Sequence, residues 1–350
     1  MAIIQSTYRV VPPKALSQTQ IRDFANSLFQ HSGLDLDRLL PVFENAKINN
    51  RYVLKEIEWY TESKSFQEKN QEFLDCALSL SKEAALGAMD GAGLKKSDID
   101  GIILVTSSGF VTPTLDARII DILDFKEDIL RIPLTGFGCA GGAYGLARAN
   151  EFANMAPDKN ILLIAVETCT LTFRPSDKRK ANLIALSLFA DGAAGVIISS
   201  KMKKQSISIS GSLSYKWKDS LNVMGWDVEA DGLQVIFDKS IPKIILEDYN
   251  RIYHLFLKKF GLNDSEMKHF LFHPGGKKVL NAFSESLQIG EDKLYYSNTI
   301  LENYGNMSSP TVLFVIDEFL KQSHFQPSEK GIIGAMGPGF TSENLFFKTT

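Results

Sequence analysis

Short apolar runs recur along this chain, GIILVTSSG among them bounded by glycines, and the pattern repeats as strand, turn and helical or polar segment. GIILVTSSG, ILRIPLTGFG, NILLIAVE and AAGVIISS are each too short for a buried helix and rich in β-branched residues. GIILVTSSG and AAGVIISS are continuously apolar rather than alternating, so those strands must be covered on both faces. ILRIPLTGFG leads into CAGGAYGLARANEFA, and NILLIAVE leads into the polar TCTLTFRPSDKRK. That grammar constrains the chain to an α/β fold with mostly buried sheets. Helices punctuate it. Ser17 opens one with a capping box, S-Q-T-Q, and a longer one runs from Ser65 to Ala92 with Gly93 placed to stop it. After about residue 203 the alternating KQSISISGSLSYKW reads as antiparallel strands, and a helix opens at Pro242 and closes at Gly261. HFLFHPGG, NMSSPTVLFVIDEFL and GIIGAMGPGF then read as further strand–turn–helix units. Two consecutive sets of units of similar size suggest a pseudo-duplicated chain with halves 1–203 and 204–350, although no sequence repeat links them.

Composition removes several function classes. The 350 residues carry 38 Lys+Arg against 41 Asp+Glu, a net charge of −3 without the basic stripe of a nucleic-acid binder. No apolar run approaches the ~18 residues of a membrane span, and MAIIQSTYRVV lacks the features of a secretory signal. Cys76, Cys139 and Cys169 are odd in number and widely spaced. They argue against a disulfide framework and against a zinc site, and they fit a reducing cytoplasm.

Three residues stand out as carriers of chemistry. Cys139 follows an apolar strand and a glycine turn and precedes an Ala/Gly-rich helical run, which puts its sulfur at a helix N-terminus where thiolate is favoured. Ala140, Gly141 and Gly142 leave room for another segment or a substrate to approach. Cys76 and Cys169 read as core residues. His273 ends the strand FLF and enters Pro-Gly-Gly, at the sheet edge where catalytic groups of α/β proteins collect. The other four histidines lie in polar loops or on amphipathic helices. Asn306 sits in YGNMSSP, where by itself it serves a turn, and Ser308 or Ser309 caps the helix that Pro310 begins. GAMGPGF lacks the Lys-Ser/Thr of a phosphate loop and reads as a tight turn in a cavity wall.

GCAGGAYGL, LFADGAAGVIIS, LFHPGGKKVL, NYGNMSSPTVLFVID and MGPGF occur in the order and spacing of the type III polyketide synthases, the chalcone-synthase-like branch of the thiolase superfamily. The resemblance runs from about Tyr8 to the C-terminus. EWYTESKSFQEKNQ, TLTFRPSDKRKANLIALSLF and VMGWDVEADGLQVIF look most like alkylpyrone synthases of bacteria. The resemblance implies a five-layered αβαβα thiolase-like fold, a homodimer, and a catalytic triad of Cys139, His273 and Asn306. It places Phe189 as the gatekeeper between CoA tunnel and cavity, and Val235 at a second gate position that is often Phe in plant enzymes. Thr172, Thr112 and Ser308 match cavity positions, Thr112 on a loop that reaches the partner subunit. Arg38, Lys47, Arg51 and Gly275 are candidates for holding CoA.

No metal or resident cofactor is implied; the substrates would be acyl-CoA and malonyl-CoA. A Cys thiolate beside imidazolium would take the starter as a thioester. Neutral His273 and the Asn306 amide would stabilise the enolate left by decarboxylation, each hydrogen bond worth about 3 kcal/mol. Medium-to-long-chain fatty acyl-CoA starters giving alkylpyrones are the expectation. Alkylresorcinol- or chalcone-type cyclisation is the alternative within the family. A β-ketoacyl-acyl-carrier-protein synthase, a papain-like cysteine hydrolase and a non-catalytic scaffold are the competing classes.

Overall fold

The computed structural model describes residues 1–155, 158–322 and 324–350. Its first half contains strands β1 (Ala2–Val10), β2 (Lys14–Ser17), β3 (Asn50–Val53), β4 (Gly101–Thr106), β5 (Leu130–Thr135), β6 (Ile161–Thr168) and β7 (Asp191–Ser199). Between them run helices α1 (Gln18–Phe29), α2 (Leu36–Leu39), α3 (Pro41–Asn45), α4 (Phe66–Gly91), α5 (Leu115–Leu123), α6 (Gly141–Met155) and α7 (Lys180–Leu188). The second half adds β8 (Ile207–Lys216), β9 (Met224–Glu229), β10 (Gly232–Phe237), β11 (Met267–Phe272), β12 (Lys330–Gly337) and β13 (Thr341–Thr349), with α8 (Ile241–Phe260), α9 (Lys277–Leu287), α10 (Tyr295–Tyr304) and α11 (Ser309–Gln322).

Nine strands line up in the order β11-β12-β13-β8-β1-β7-β6-β4-β5. The two halves meet where β1 touches β8 through Ala2 and Ile3 alone. Each half repeats one scheme. A parallel pair (β4 with β6, β11 with β12) leads into an antiparallel neighbour (β7, β13), which pairs antiparallel with the half's first strand (β1, β8). α4 and α5 cover the outer face of the first half, where Phe73, Ala84 and Ile119 pack on Ile102 and Ile164. α8 and α9 cover the outer face of the second, through Tyr249, Phe256 and Phe283. α6 and α11 lie between and contact strands of both halves. The result is five layers, helix–sheet–helix–sheet–helix, a thiolase-like fold. A sheet covered by helices on both faces explains why β6 and β7 bury every residue.

Local signals are largely realised. Ser17 and Gln20, and Ser65 and Glu68, form reciprocal capping boxes. Gly93 and Gly261 take left-handed conformations after their helices, with φ of 65° and 61°. Pro242 is the second rather than the first residue of its helix. Two readings need correction. GIIGAMGPGF is not strand–turn–helix, because its turn leads into β13 and closes an antiparallel hairpin. NMSSPTVLFVIDEFL contains no strand beyond an isolated bridge of Asn306 to Phe189, and its apolar stretch is α11, buried on all sides in the central layer. A helix buried all round has the same continuous apolar pattern as a buried strand. KQSISISGSLSYKW forms one strand, β8, flanked antiparallel by β1 and β13.

Candidate active site

Cys139 sits in a single tight turn, Gly138–Ala140, between the end of β5 and the start of α6. Gly138 has φ 47°, and a Cβ there would lie 2.7 Å from Pro338, so the Gly337–Gly339 turn packs on the turn that carries the cysteine. A Cβ on Gly142 would lie 2.1 Å from the Ser309 carbonyl oxygen. The small residues after Cys139 therefore admit the N-terminal end of α11, which brings Asn306 to the sulfur. Sγ lies 3.9 Å from Asn306 Oδ1 and 4.0 Å from Nδ2.

His273 follows β11 directly, held by its backbone N–H on the Gly334 carbonyl at 2.8 Å. Asn306 is fully buried. Its backbone N–H donates to the Leu188 carbonyl and its carbonyl accepts from the Ala190 N–H, both at 2.9 Å. Its side chain is fixed at both ends: Oδ1 accepts from the Ser308 N–H at 2.8 Å, and Nδ2 donates to the Gly275 carbonyl at 3.2 Å. Asn306 thus serves the turn, where Ser308 has φ 60°, and still directs a second amide hydrogen elsewhere. Cys139, His273, Gly275 and Asn306 line one small cavity of about 330 Å³ whose other walls include Phe237 and Met336.

Burial decides the protonation of this cavity. It pushes the Cys139 thiol up to about 11, against the lowering contributions of hydrogen bonds from Ser308 and Asn306. The same burial pulls His273 down to about 3, and neither ring nitrogen has a hydrogen-bond partner among the described residues. Burial therefore works against the expected thiolate–imidazolium pair at both groups and favours the neutral thiol and the neutral imidazole. The helix end is outweighed by the loss of water around the sulfur. The arrangement offers a nucleophile that must shed its proton, a neutral base able to take it, and two N–H donors for an oxyanion.

A second, larger cavity of about 570 Å³ has mainly apolar walls, Phe189, Val235 and Thr172 among them. It shares no lining residue with the first. The Phe189 ring rests on Trp226 at 5.9 Å, and Trp226 is paired with Val235 across the β9–β10 hairpin. Thr172 donates through Oγ1 to the Cys169 carbonyl at 2.7 Å, and Cys169 also faces this cavity rather than the packed core alone. Ser308 and Thr112 line neither cavity; Thr112 is exposed on the loop between β4 and α5.

The CoA candidates separate. Arg38, within α2, and Lys47, just after α3, are exposed. Arg51 is buried to 1% exposure with its guanidinium on backbone carbonyls, and cannot meet a phosphate in solvent. Gly275 belongs to the cavity of Cys139, His273 and Asn306, where its carbonyl holds the Asn306 amide. Glu167 escaped the reading of the sequence. Buried at the end of β6, it accepts from the Ser107 N–H and the Ser309 hydroxyl, and burial raises its pKa to about 7. A carboxylate closing the otherwise apolar run NILLIAVE was the available signal.

Residues 42–202 match the family model for chalcone and stilbene synthases, N-terminal domain, and residues 218–350 match the C-terminal domain model. A protein of Bacillus subtilis (strain 168) named "Putative chalcone synthase" is 40% identical over 99% of this chain and 98% of its own length. A 1,3,6,8-tetrahydroxynaphthalene synthase of Streptomyces peucetius subsp. caesius is 31% identical, over 99% of this chain and 92% of its own. The crystal structure of the 1,3,6,8-tetrahydroxynaphthalene synthase of Streptomyces coelicolor A3(2), a bacterial type III polyketide synthase, superposes with a TM-score of 0.94 at 25% identity, covering all of both chains. With both domain models matched in order and full-length relatives on either side, the chain belongs to the chalcone and stilbene synthase family, and is an acyl-condensing transferase of the type III polyketide synthase class.

Proposed function

We propose that this enzyme extends a fatty acyl-CoA starter with malonyl-CoA by repeated decarboxylative condensation and closes the product to an alkylpyrone. The carrying observation is that Cys139, His273 and Asn306, from three distant parts of the chain, line one buried cavity, with both imidazole nitrogens unpartnered among the described residues. On attack, the Cys139 proton passes to His273, sulfur bonds the starter carbonyl carbon, and CoA leaves as its thiol with that proton. Malonyl-CoA then loses carbon dioxide. The electron pair left behind forms an enolate whose oxygen accepts from His273 and the Asn306 amide. Neutral donors suit this step, because a carboxylate there would repel the enolate. The enolate carbon attacks the Cys139 thioester, and sulfur leaves as thiolate and regains a proton. The extended chain, now a CoA thioester, passes back to Cys139 with release of the CoA thiol and is extended again; an enol oxygen then attacks the thioester carbonyl, and the thiol leaves with the enol proton to give the lactone.

The fatty starter is supported by the apolar walls beside Val235, which include Leu16, Ile21 and Phe24. Each CH₂ buried against them adds about 0.8 kcal/mol of binding. Homodimer formation is supported by β5, a sheet-edge strand ending at the Cys139 turn whose residues are all exposed or half-buried. Three free cysteines support a reducing cytoplasm. A polyhydroxylated aromatic product is the second reading, favoured by the names of the tetrahydroxynaphthalene synthases among the relatives. Incubation with a panel of acyl-CoAs and labelled malonyl-CoA, read by product mass, tests both. Alkylpyrone masses from long starters are expected. Labelled aromatic product without any starter overturns the fatty-acyl reading, and absence of labelled carbon dioxide overturns the condensation itself.

A further inference from the structure

Arg51, on β3, is a buried cation with no carboxylate partner among the described residues. Its Nη1 donates to the carbonyls of Leu186, at 2.5 Å, and Phe189, at 3.2 Å, and its Nη2 donates to Gln18 Oε1. Gln18 is buried as well, and its Nε2 donates to the carbonyls of Phe43 and Ser187 at 2.9 and 3.1 Å. The two side chains together hold the carbonyls of Leu186, Ser187 and Phe189, at the C-terminal end of α7. A cation is favoured at such an end, where carbonyl dipoles converge. Burial pulls the guanidinium down to about 9, which leaves it protonated at neutral pH.

The turn so held is coupled to the triad. Leu188 and Ala190 bracket Phe189, and their backbone groups make the two 2.9 Å hydrogen bonds that hold the backbone of Asn306. The arginine stem lies against the residue before Asn306. Gly305 has φ 70°, and a Cβ there would lie 3.0 Å from the Leu188 carbonyl oxygen and 3.3 Å from Arg51 Cδ. Burying an arginine without an acidic partner is costly, and an apolar side chain of equal volume would satisfy packing alone. What such a side chain lacks is a fork that fixes several carbonyls at once.

We propose that Arg51, with Gln18, is a positioning residue that sets Asn306 and the Phe189 gate by clamping the end of α7. The proposal rests on reading Asn306 as the group that stabilises the enolate. The experiment measures kcat and KM for decarboxylation with malonyl-CoA and with the malonyl thioester of N-acetylcysteamine, which carries no phosphate. Variants are Arg51→Met, Arg51→Lys and, in parallel, Asn306→Ala; acylation of Cys139 is followed by mass spectrometry. Displacing the amide by a fraction of an ångström lowers kcat in Arg51→Met by about 10-fold or more, equally for both thioesters, with KM changed little and Cys139 still acylated. Arg51→Lys regains part of kcat, since an ammonium reaches one carbonyl but does not span them.

A loss confined to malonyl-CoA would make Arg51 a phosphate contact and overturn the proposal. So would wild-type kcat in a folded Arg51→Met. If Arg51→Met does not fold, Arg51→Lys decides: reduced kcat for both thioesters at an unchanged melting temperature supports the clamp, and unchanged kcat refutes it. Wild-type decarboxylation in Asn306→Ala defeats the underlying reading, whereas an inactive Asn306→Ala beside a fully active Arg51→Met defeats the clamp alone.

Discussion

At Cys139 two local effects oppose each other, and only one of them is visible in sequence. The turn into α6 and the hydrogen bonds of Asn306 and Ser308 favour thiolate, but enclosure of the sulfur raises its pKa to about 11. His273 moves the opposite way, to about 3, for the same reason. Alkylation of the free enzyme by iodoacetamide should therefore quicken steadily with pH from 6 to 9, because the thiolate fraction rises tenfold per pH unit below the thiol's pKa. A rate already level near pH 6 would restore the thiolate–imidazolium pair, and peptide mapping confirms that Cys139 is the site read. Folding responds to His273 in a defined direction. A folded-state pKa below the unfolded value of about 6.5 means that the unfolded chain binds the proton first, so stability is lost as pH falls from about 6.5 toward 3. Arg51 carries the same lesson. The family resemblance offers it as a CoA contact, while the two carbonyls its Nη1 holds lie more than a hundred residues away.

At the level of elements, the contact of α6 with α11 sets the site. Gly142 lets the Ser309 carbonyl approach, and Gly142→Ala must push it away, because the added carbon has nowhere to go at 2.1 Å from a backbone oxygen. A loss of about 1–3 kcal/mol in urea unfolding is expected, together with a larger fall in decarboxylation than in global stability would explain. Equal stability and full activity would show that α11 can shift freely. The β9–β10 hairpin makes a separate prediction about substrate choice. Val235 and Phe189 face the same apolar cavity, so Val235→Phe fills part of it. It should lower kcat/KM for long acyl-CoAs much more than for short ones, and an unchanged chain-length profile would remove this cavity from the path of the tail.

The whole molecule is two copies of one strand scheme joined at a narrow seam, with the turns that carry Cys139, His273 and Asn306 gathered where α6 and α11 lie between the sheets. β5 leaves one edge of that sheet unpaired, with Leu130 39% exposed and Phe110 and Ile122 about half exposed nearby. Light scattering should give twice the chain mass, and Ile132→Lys on that strand should shift it toward a single chain; a monomeric wild type would refute pairing through this edge. Apart from Asn306, which the family resemblance alone singled out, the sequence by itself determined the short apolar strands, the helices with capping boxes, and the turns that carry Cys139 and His273. Those signals are local, since backbone geometry and capping act within a few residues. Tertiary structure alone decided the rest. β1 reads as an undistinguished N-terminus yet lies at the seam, because its partners β7 and β8 are almost two hundred residues away. α11 and the final hairpin were ambiguous because burial on every side erases the period that separates helix from strand. The protonation of Cys139 and His273, the recruitment of Glu167 and the burial of Arg51 all depend on how much water the packed layers exclude, a quantity that no run of neighbouring residues encodes.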